Sequence, residues 1–410
     1  SHNPPEYNGY KVYWEDGAQI TPPHDIGIMD EVKAVNDFSL VNMISLEEAK
    51  EKGLYHIIGQ EIDDAYIQEL KKQVIHSESI KEAGNILVQR ILRELGFYKV
   101  YVVPEQEQPD GEFPTVSYPN PEDKAAFALA LNLAKEKDAD LVLATDPDAD
   151  RLGVYVKDTV SGEYICLTGN MSGCFLADYE IGQRKERDGS LPADGILIKT
   201  IVTSNMVDAI GSYYNVKVIE VLTGFKWIGK EIHKTEMTGE GTYLFGFEES
   251  YGCLVGTHAR DKDAVVATMA LCEAAAFYKT KGMSLWDAMI SMYEKYGYYK
   301  DDVISITHKG LEGLERIKSV MNNLRANTPE SIGSYKVLKA IDYEMDTDTG
   351  IPKSNVLYYE LDHNAWFCVR PSGTEPKIKI YFGVVGSSLE DSQKKSEQLA
   401  KDVQDYLEKN

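Results

Sequence analysis

Apolar residues recur at helical spacing over 63–74 and again over 80–95, where Gly96 supplies a stop signal. A β-prone run follows at 98–103, then a helical pattern at 124–137 and a short apolar run at 139–144. This alternation predicts an α/β unit with a largely parallel sheet. It resumes after Gly169, with strands at 196–202, 216–221 and 242–247 and helices at 205–211, 225–234 and 264–278. Beyond about residue 298 the style becomes α+β. A helix at 311–325 precedes a hairpin of 356–361 and 366–370, which turns at Asp362-His363-Asn364. A strand at 377–385 and a closing amphipathic helix at 389–407 complete the chain. Near the start, 10–14 has strand composition with a turn at Asp16-Gly17, and 1–9 has the composition of a loop.

The expected organisation is therefore multidomain α/β. Residues 1–60 read as the C-terminal remnant of a first α/β domain whose earlier part is absent. Residues 61–165 and 166–298 form two further α/β domains with mixed sheets, and 299–410 a C-terminal α+β domain. The length of 410 residues suits several domains at roughly 150 residues each.

Charge narrows the partners. The 66 acidic residues against 43 Lys and Arg give a formal charge of −23, which repels nucleic-acid backbones. An anionic ligand then needs a local basic pocket. No run of about 18 apolar residues occurs, so no membrane partner is expected. The five cysteines are odd in number and scattered without a CxxC pair, which favours reduced thiols in a cytoplasmic protein.

Three motifs can carry chemistry. Asp146, Asp148 and Asp150, followed by Arg151, stand at alternate positions after a predicted strand. Their mutual repulsion is relieved by a hard cation, magnesium or calcium, unless the loop is simply a solvated acidic turn. It is not an EF-hand, because Arg151 and Lys157 stand where Gly and Glu are required. Arg370-Pro371-Ser372-Gly373-Thr374-Glu375-Pro376 joins two predicted strands and offers backbone N–H groups and a guanidinium to a phosphate; alternatively it is a tight turn with a chance arginine. Glu248-Glu249-Ser250 ends another strand and suits sugar hydroxyls, although a solvated acidic turn has the same composition. Nearby, Arg260-Asp261-Lys262-Asp263 offers cations for an anion or merely opens a helix. Gly224 to Lys230 has P-loop spacing, but Glu231 replaces the required hydroxyl residue, so it reads as a helix entry with an exposed Lys226.

Ser1-His2-Asn3-Pro4, the three-aspartate loop, Glu248-Glu249-Ser250 and the Arg370 loop occur in that order along essentially the whole chain. Together they resemble the α-D-phosphohexomutase superfamily of phosphoglucomutases and phosphomannomutases, nearest its longer phosphoglucomutase branch, for which 5–14 is typical. The resemblance implies four domains around a central cleft. It implies that Ser1 cycles through a phosphorylated form, with His2, Arg151 and Lys262 as catalytic groups. Ser1 together with Asp146, Asp148 and Asp150 would hold Mg2+. Glu248 and Ser250, with Thr223 and Gly224, would meet the sugar, while Arg370, Ser372, Gly373 and Thr374 would hold the non-reacting phosphate.

The implied reaction interconverts glucose 1-phosphate and glucose 6-phosphate through phosphoserine and glucose 1,6-bisphosphate. Its partner is a sugar phosphate, and a monomer is favoured. A phosphomannomutase, a phosphopentomutase and a non-catalytic phosphosugar-binding protein are the alternatives. An intact serine and three aspartates speak against the last. Because the family has much of its first domain before the serine, this chain alone is expected to bind sugar phosphate weakly and isomerise it negligibly.

Overall fold

The computed structural model describes residues 2, 10–77, 86–307, 310–346, 348–372 and 377–409. Helices α1 (His24–Ala34) and α2 (Leu46–Glu51) lie in the N-terminal stretch and bury no side chain. The strand expected at 10–14 is reduced to one bridge, Tyr13 to Gln19, around a turn in which Gly17 has φ +77°. Its other residues find no partner strand among the described residues, so no ladder forms.

Helices α3 (Gln60–Lys71) and α4 (Ile86–Leu95) match the helical spacing, while 78–85 lies outside the described residues. The next expected strand does not form. Tyr98 and Tyr101 are exposed there, and among the described residues 98–103 forms no strand before the short α5 (Pro104–Glu107). Helix α6 (Ala128–Lys137) then leads to β1 (Leu141–Thr145), β2 (Leu152–Lys157) and β3 (Tyr164–Leu167). These strands form an antiparallel meander, not the largely parallel sheet expected, because short connections permit only antiparallel neighbours. Strand β2 is buried on both faces. Leu152, Val154 and Val156 join the main core, and Tyr155 packs with Phe127, Ala134 and Val142 on the other side.

The second sheet has the order β5-β4-β6-β7, from β4 (Gly195–Thr200), β5 (Lys217–Val221), β6 (Thr242–Glu248) and β7 (Gly252–Leu254). Strand β4 is parallel to both neighbours and β7 is antiparallel, so this sheet is mixed as expected. Helices α7 (Gly169–Asp188), α8 (Met206–Tyr214), α9 (Phe225–Thr238), α10 (Ala264–Thr280) and α11 (Leu285–Tyr296) surround it. Apolar on nearly every side, α10 buries twelve of its residues. A single core runs continuously from α3 and α4 through β2 to α10, so the first and second sheets share their interior.

The last sheet is antiparallel throughout, in the order β8-β13-β12-β11-β10-β9. Its strands are β8 (Tyr298–Thr307), β9 (Ser331–Ile332), β10 (Tyr335–Asp342), β11 (Leu357–Leu361), β12 (Trp366–Pro371) and β13 (Lys377–Gly386). Helices α12 (Gly310–Ala326) and α13 (Leu389–Lys409) help close its own core. A separate apolar contact of Ile201, Val202 and Leu222 with Tyr358, Trp366 and Tyr381 seats this sheet on the strand ends of the second. Among the described residues no helix is long and apolar enough to cross a membrane.

Candidate active site

The acidic loop begins where β1 ends. Asp146 is buried, and its Oδ1 accepts from Asp150 N at 3.0 Å and Arg151 N at 2.9 Å. Those bonds close a tight turn in which Ala149 takes φ +52°. Asp146 Oδ2 is left for His2, whose Nδ1 lies 3.1 Å away. His2, Asp146 and the exposed Asp148 bring one ligand atom each to within 4.8 Å of one another. Asp150 faces elsewhere, with its Oδ2 2.8 Å from Lys262 Nζ and 3.3 Å from Lys11 Nζ. The structure thus gathers two of the three aspartates with His2 and pairs the third with two lysines. Carboxylate oxygens suit a hard divalent ion such as magnesium, and Asp146 keeps one oxygen clear of the loop amides to bind it.

Two backbone hydrogen bonds join this loop to the rest of the site. Leu152 N donates to Tyr251 O at 2.9 Å, and Ala264 N donates to Ala149 O at 2.9 Å. The first draws in the Glu248-Glu249-Ser250 turn at the end of β6, and the second draws in the N-terminus of α10. Asp263 caps that helix, accepting from Val265 N and Val266 N.

Lys262, just before the cap, has only 7% of its side chain exposed. Its Nζ is 2.8 Å from Asp150, 3.1 Å from Asp261 and 4.0 Å from Glu248. Burial alone would favour the neutral amine, but Glu248, Asp261 and Asp150 prevail and hold it well above the usual lysine range. Arg151 follows the same logic. Burial opposes its charge, yet Glu122, Glu248, Asp150 and Asp146 keep it firmly cationic. Its Nη1 lies 2.5 Å from Glu122 Oε1. Glu249 is pushed up to about 7 by burial and by the adjacent Glu248, while Thr200 Oγ1 donates to it at 3.3 Å.

The remaining expected residues fall as follows. Glu248 is buried and Ser250 partly exposed in the same turn. Thr223 ends the segment after β5, with its Oγ1 buried and unpartnered among the described residues. Gly224 takes φ +111° as it leads into α9, a conformation that favours glycine. The P-loop-like segment is the helix entry expected, although Lys226 is half-buried, lying 5.3 Å from the Trp227 ring centre. Arg370 lies on β12 opposite Lys379, and Ser372 N donates to Lys377 O at 2.7 Å across the loop mouth. Ser1, Gly373 and Thr374 lie outside the described residues.

Sequence reasoning missed Lys11, Tyr13 and Glu122, and read Asp261 only as part of a charged helix start. Tyr13 donates to Asp261 Oδ2 at 2.6 Å, so the N-terminal segment latches onto the loop that carries Lys262. Lys11, Tyr13, Asp148, Asp150, Arg260 and Lys262 help line a cavity of about 690 Å³. The only signal for Lys11 and Tyr13 was their place in the family-typical run 5–14.

Acids at the end of β1 in the antiparallel sheet and at the end of β6 in the mixed sheet converge on a buried lysine, an arrangement that suits an α/β enzyme handling an anion. Models of the phosphoglucomutase/phosphomannomutase family match in four parts: α/β/α domain I at residues 1–38, domain II at 64–162, domain III at 168–296 and the C-terminal domain at 333–403. The phosphoglucomutase of Staphylococcus epidermidis strain ATCC 12228 is 34% identical over 418 residues, covering 96% of this chain and 75% of that protein. That of Staphylococcus aureus strain MRSA252 is 35% identical over 416 residues, covering 95% and 72%.

The chain belongs to the phosphoglucomutase/phosphomannomutase family of isomerases, within the α-D-phosphohexomutase superfamily. Solved structures agree in fold. The Paramecium phosphoprotein parafusin, a phosphoglucomutase in an open form, superposes with a TM-score of 0.56 at 15% identity, covering 84% of this chain and 62% of that one. A family protein from Burkholderia thailandensis gives 0.52 at 16% identity, covering 83% and 65%. The chain thus spans about three quarters of these curated relatives and less than two thirds of these solved chains.

Proposed function

We propose that the protein of this chain interconverts glucose 1-phosphate and glucose 6-phosphate, through a phosphorylated Ser1 and glucose 1,6-bisphosphate. The observation that carries this reading is the joining of the acidic loop, Lys262 and Glu248 into one cleft by two backbone hydrogen bonds. Asp146, Asp148 and Asp150 are the residues that would hold Mg2+, with Asp150 released from its lysines. Bound there, magnesium would supply charge neutralisation for the transferring phosphoryl group.

The chain's own residues do the rest. Lys262 and Lys11 are cations at the reacting end, and Lys262, held protonated, donates hydrogen bonds rather than acting as a base. Glu248 and Ser250 accept from sugar hydroxyls, and Thr223 Oγ1 offers another polar contact. His2 stands beside Asp146 as a proton-transfer group. The distal phosphate is assigned to Arg370, Ser372, Gly373 and Thr374. All of these charges are local, so the −23 surface does not prevent anion binding.

The test compares turnover on glucose, mannose and ribose 1-phosphates, together with the intact mass of the protein after exposure to glucose 1,6-bisphosphate. A phosphoryl adduct on Ser1 and preference for the glucose ester are expected, and Glu248→Gln should slow every hexose ester. Preference for ribose 1-phosphate would overturn the substrate. Turnover without an adduct would overturn the phosphoserine.

A further inference from the structure

Glu122 has no part in the scheme above, yet its place is built from backbone. Buried Asn120 accepts from Glu122 N through Oδ1 at 2.9 Å and from Asp123 N through its carbonyl at 2.9 Å. Asp123 in turn caps the 3-10 helix Lys124–Phe127, accepting from Ala125 N at 2.9 Å. This turn presses onto β2 at Gly153, two residues after Arg151. A Cβ on Gly153 would lie 2.8 Å from Pro121 O and 2.6 Å from Phe127 Cζ. Only the missing side chain lets the turn approach closely enough for Glu122 Oε1 to reach Arg151 Nη1.

Arg151 has a second feature. Its Nε is buried and has no hydrogen-bond partner among the described residues, and Asp150 Oδ1 is 3.8 Å away. A buried donor without an acceptor is costly, and this one lies beside the acidic loop. Guanidinium donors are fixed in one plane, so holding Nη1 also sets the direction of Nε–H.

We propose that Glu122 is a positioning residue: it grips Arg151 by Nη1 so that the open Nε–H meets an oxygen of the phosphoryl group in the cleft. The inference rests on the phosphotransfer reading. That oxygen belongs either to phosphorylated Ser1 or to the sugar phosphate, and Glu122 itself touches neither.

The Arg151 Nε–H resonance, assigned by its loss in Arg151→Lys, reads this directly. One arm adds glucose 1-phosphate to the non-phosphorylated protein. The other uses protein phosphorylated by glucose 1,6-bisphosphate and freed of sugar. A shift in either arm is expected and identifies the source of the oxygen. Glu122→Gln should remove that shift at saturation and weaken glucose 1-phosphate binding about tenfold if the sugar arm responds. Glu122→Asp should restore part of it, and in an Arg151→Lys background Glu122→Gln should add less than about a twofold loss. A purely structural role would lower the melting temperature and leave the saturated shift in place, which overturns the proposal, as would losses that multiply. Ligand binding with a silent Nε–H in both arms overturns this inference alone. A wild-type protein that neither binds glucose 1-phosphate nor becomes phosphorylated overturns the phosphotransfer reading and this inference together.

Discussion

Lys262 Nζ lies 2.8 Å from Asp150 Oδ2, with 7% and 15% of the two side chains exposed. The third carboxylate of the acidic loop is therefore neutralised by a lysine brought from the edge of α10. Removing that cation leaves Asp150, Asp261 and Glu248 with the half-exposed Lys11, 3.3 Å from Asp150 and 3.9 Å from Asp261, as the nearest remaining lysine. Lys262→Met should destabilise the fold by about 3–5 kcal/mol, the usual cost of breaking a buried pair from one side. Urea unfolding measures it, and a loss below about 1 kcal/mol would mean that water replaces the ammonium.

Asp148 offers the opposite case, because its side chain is exposed while its oxygen lies in the cluster with Asp146 and His2. Asp148→Asn should leave the melting temperature nearly unchanged and weaken Mn2+ binding about tenfold or more, read by electron paramagnetic resonance. It should also abolish phosphoryl transfer. Unchanged Mn2+ affinity would remove Asp148 from the metal set.

Gly169 ties fold to site. A Cβ at this position would collide with Glu249 O and come within 2.6 Å of Tyr251 N, so the first residue of α7 sits directly under the turn that follows β6. Gly169→Ala should cost about 1–3 kcal/mol through overpacking. The displaced turn should also weaken glucose 1-phosphate binding, measured by calorimetry. A destabilised variant with unaltered binding would show that the turn does not depend on this contact.

Glu180 makes stability depend on pH. It is buried in α7 and pushed up to about 7 by that burial, Arg184 opposing and Glu273 adding to the effect. Between about pH 4.5 and 7 the folded chain keeps a proton that the unfolded chain has lost, so stability falls as pH rises through this window. Glu180→Gln should be more stable than the wild type at pH 8, by at most on the order of 3 kcal/mol, with no such gain at pH 4. Thermal melts at the two pH values decide it, and an equal difference at both would exclude titration of Glu180.

Most helices and strands from 124 onward were legible because their apolar periodicity is local, as in α6, α9, α10, β4, β6 and α13. The motif residues were legible too, since Asp146, Asp148, Asp150, Glu248 and Arg370 stand where short-range patterns put them, at or just beyond strand ends. What no local pattern carries is pairing across the chain. The run at 98–103 has strand composition, yet among the described residues it joins no sheet, because strand composition does not by itself bring a partner's hydrogen-bonding groups into register. The same holds for the site. Composition shows that the loop is acidic, but only the approach of α10 decides that Asp150 is paired with Lys262 while Asp146 faces His2. Glu122 is the clearest instance: nothing near it in sequence marks a role, and it reaches Arg151 because Gly153 has no side chain to hold the turn away. Periodicity and motif are properties of neighbours along the chain, whereas charge neutralisation and orientation depend on distances that only packing sets.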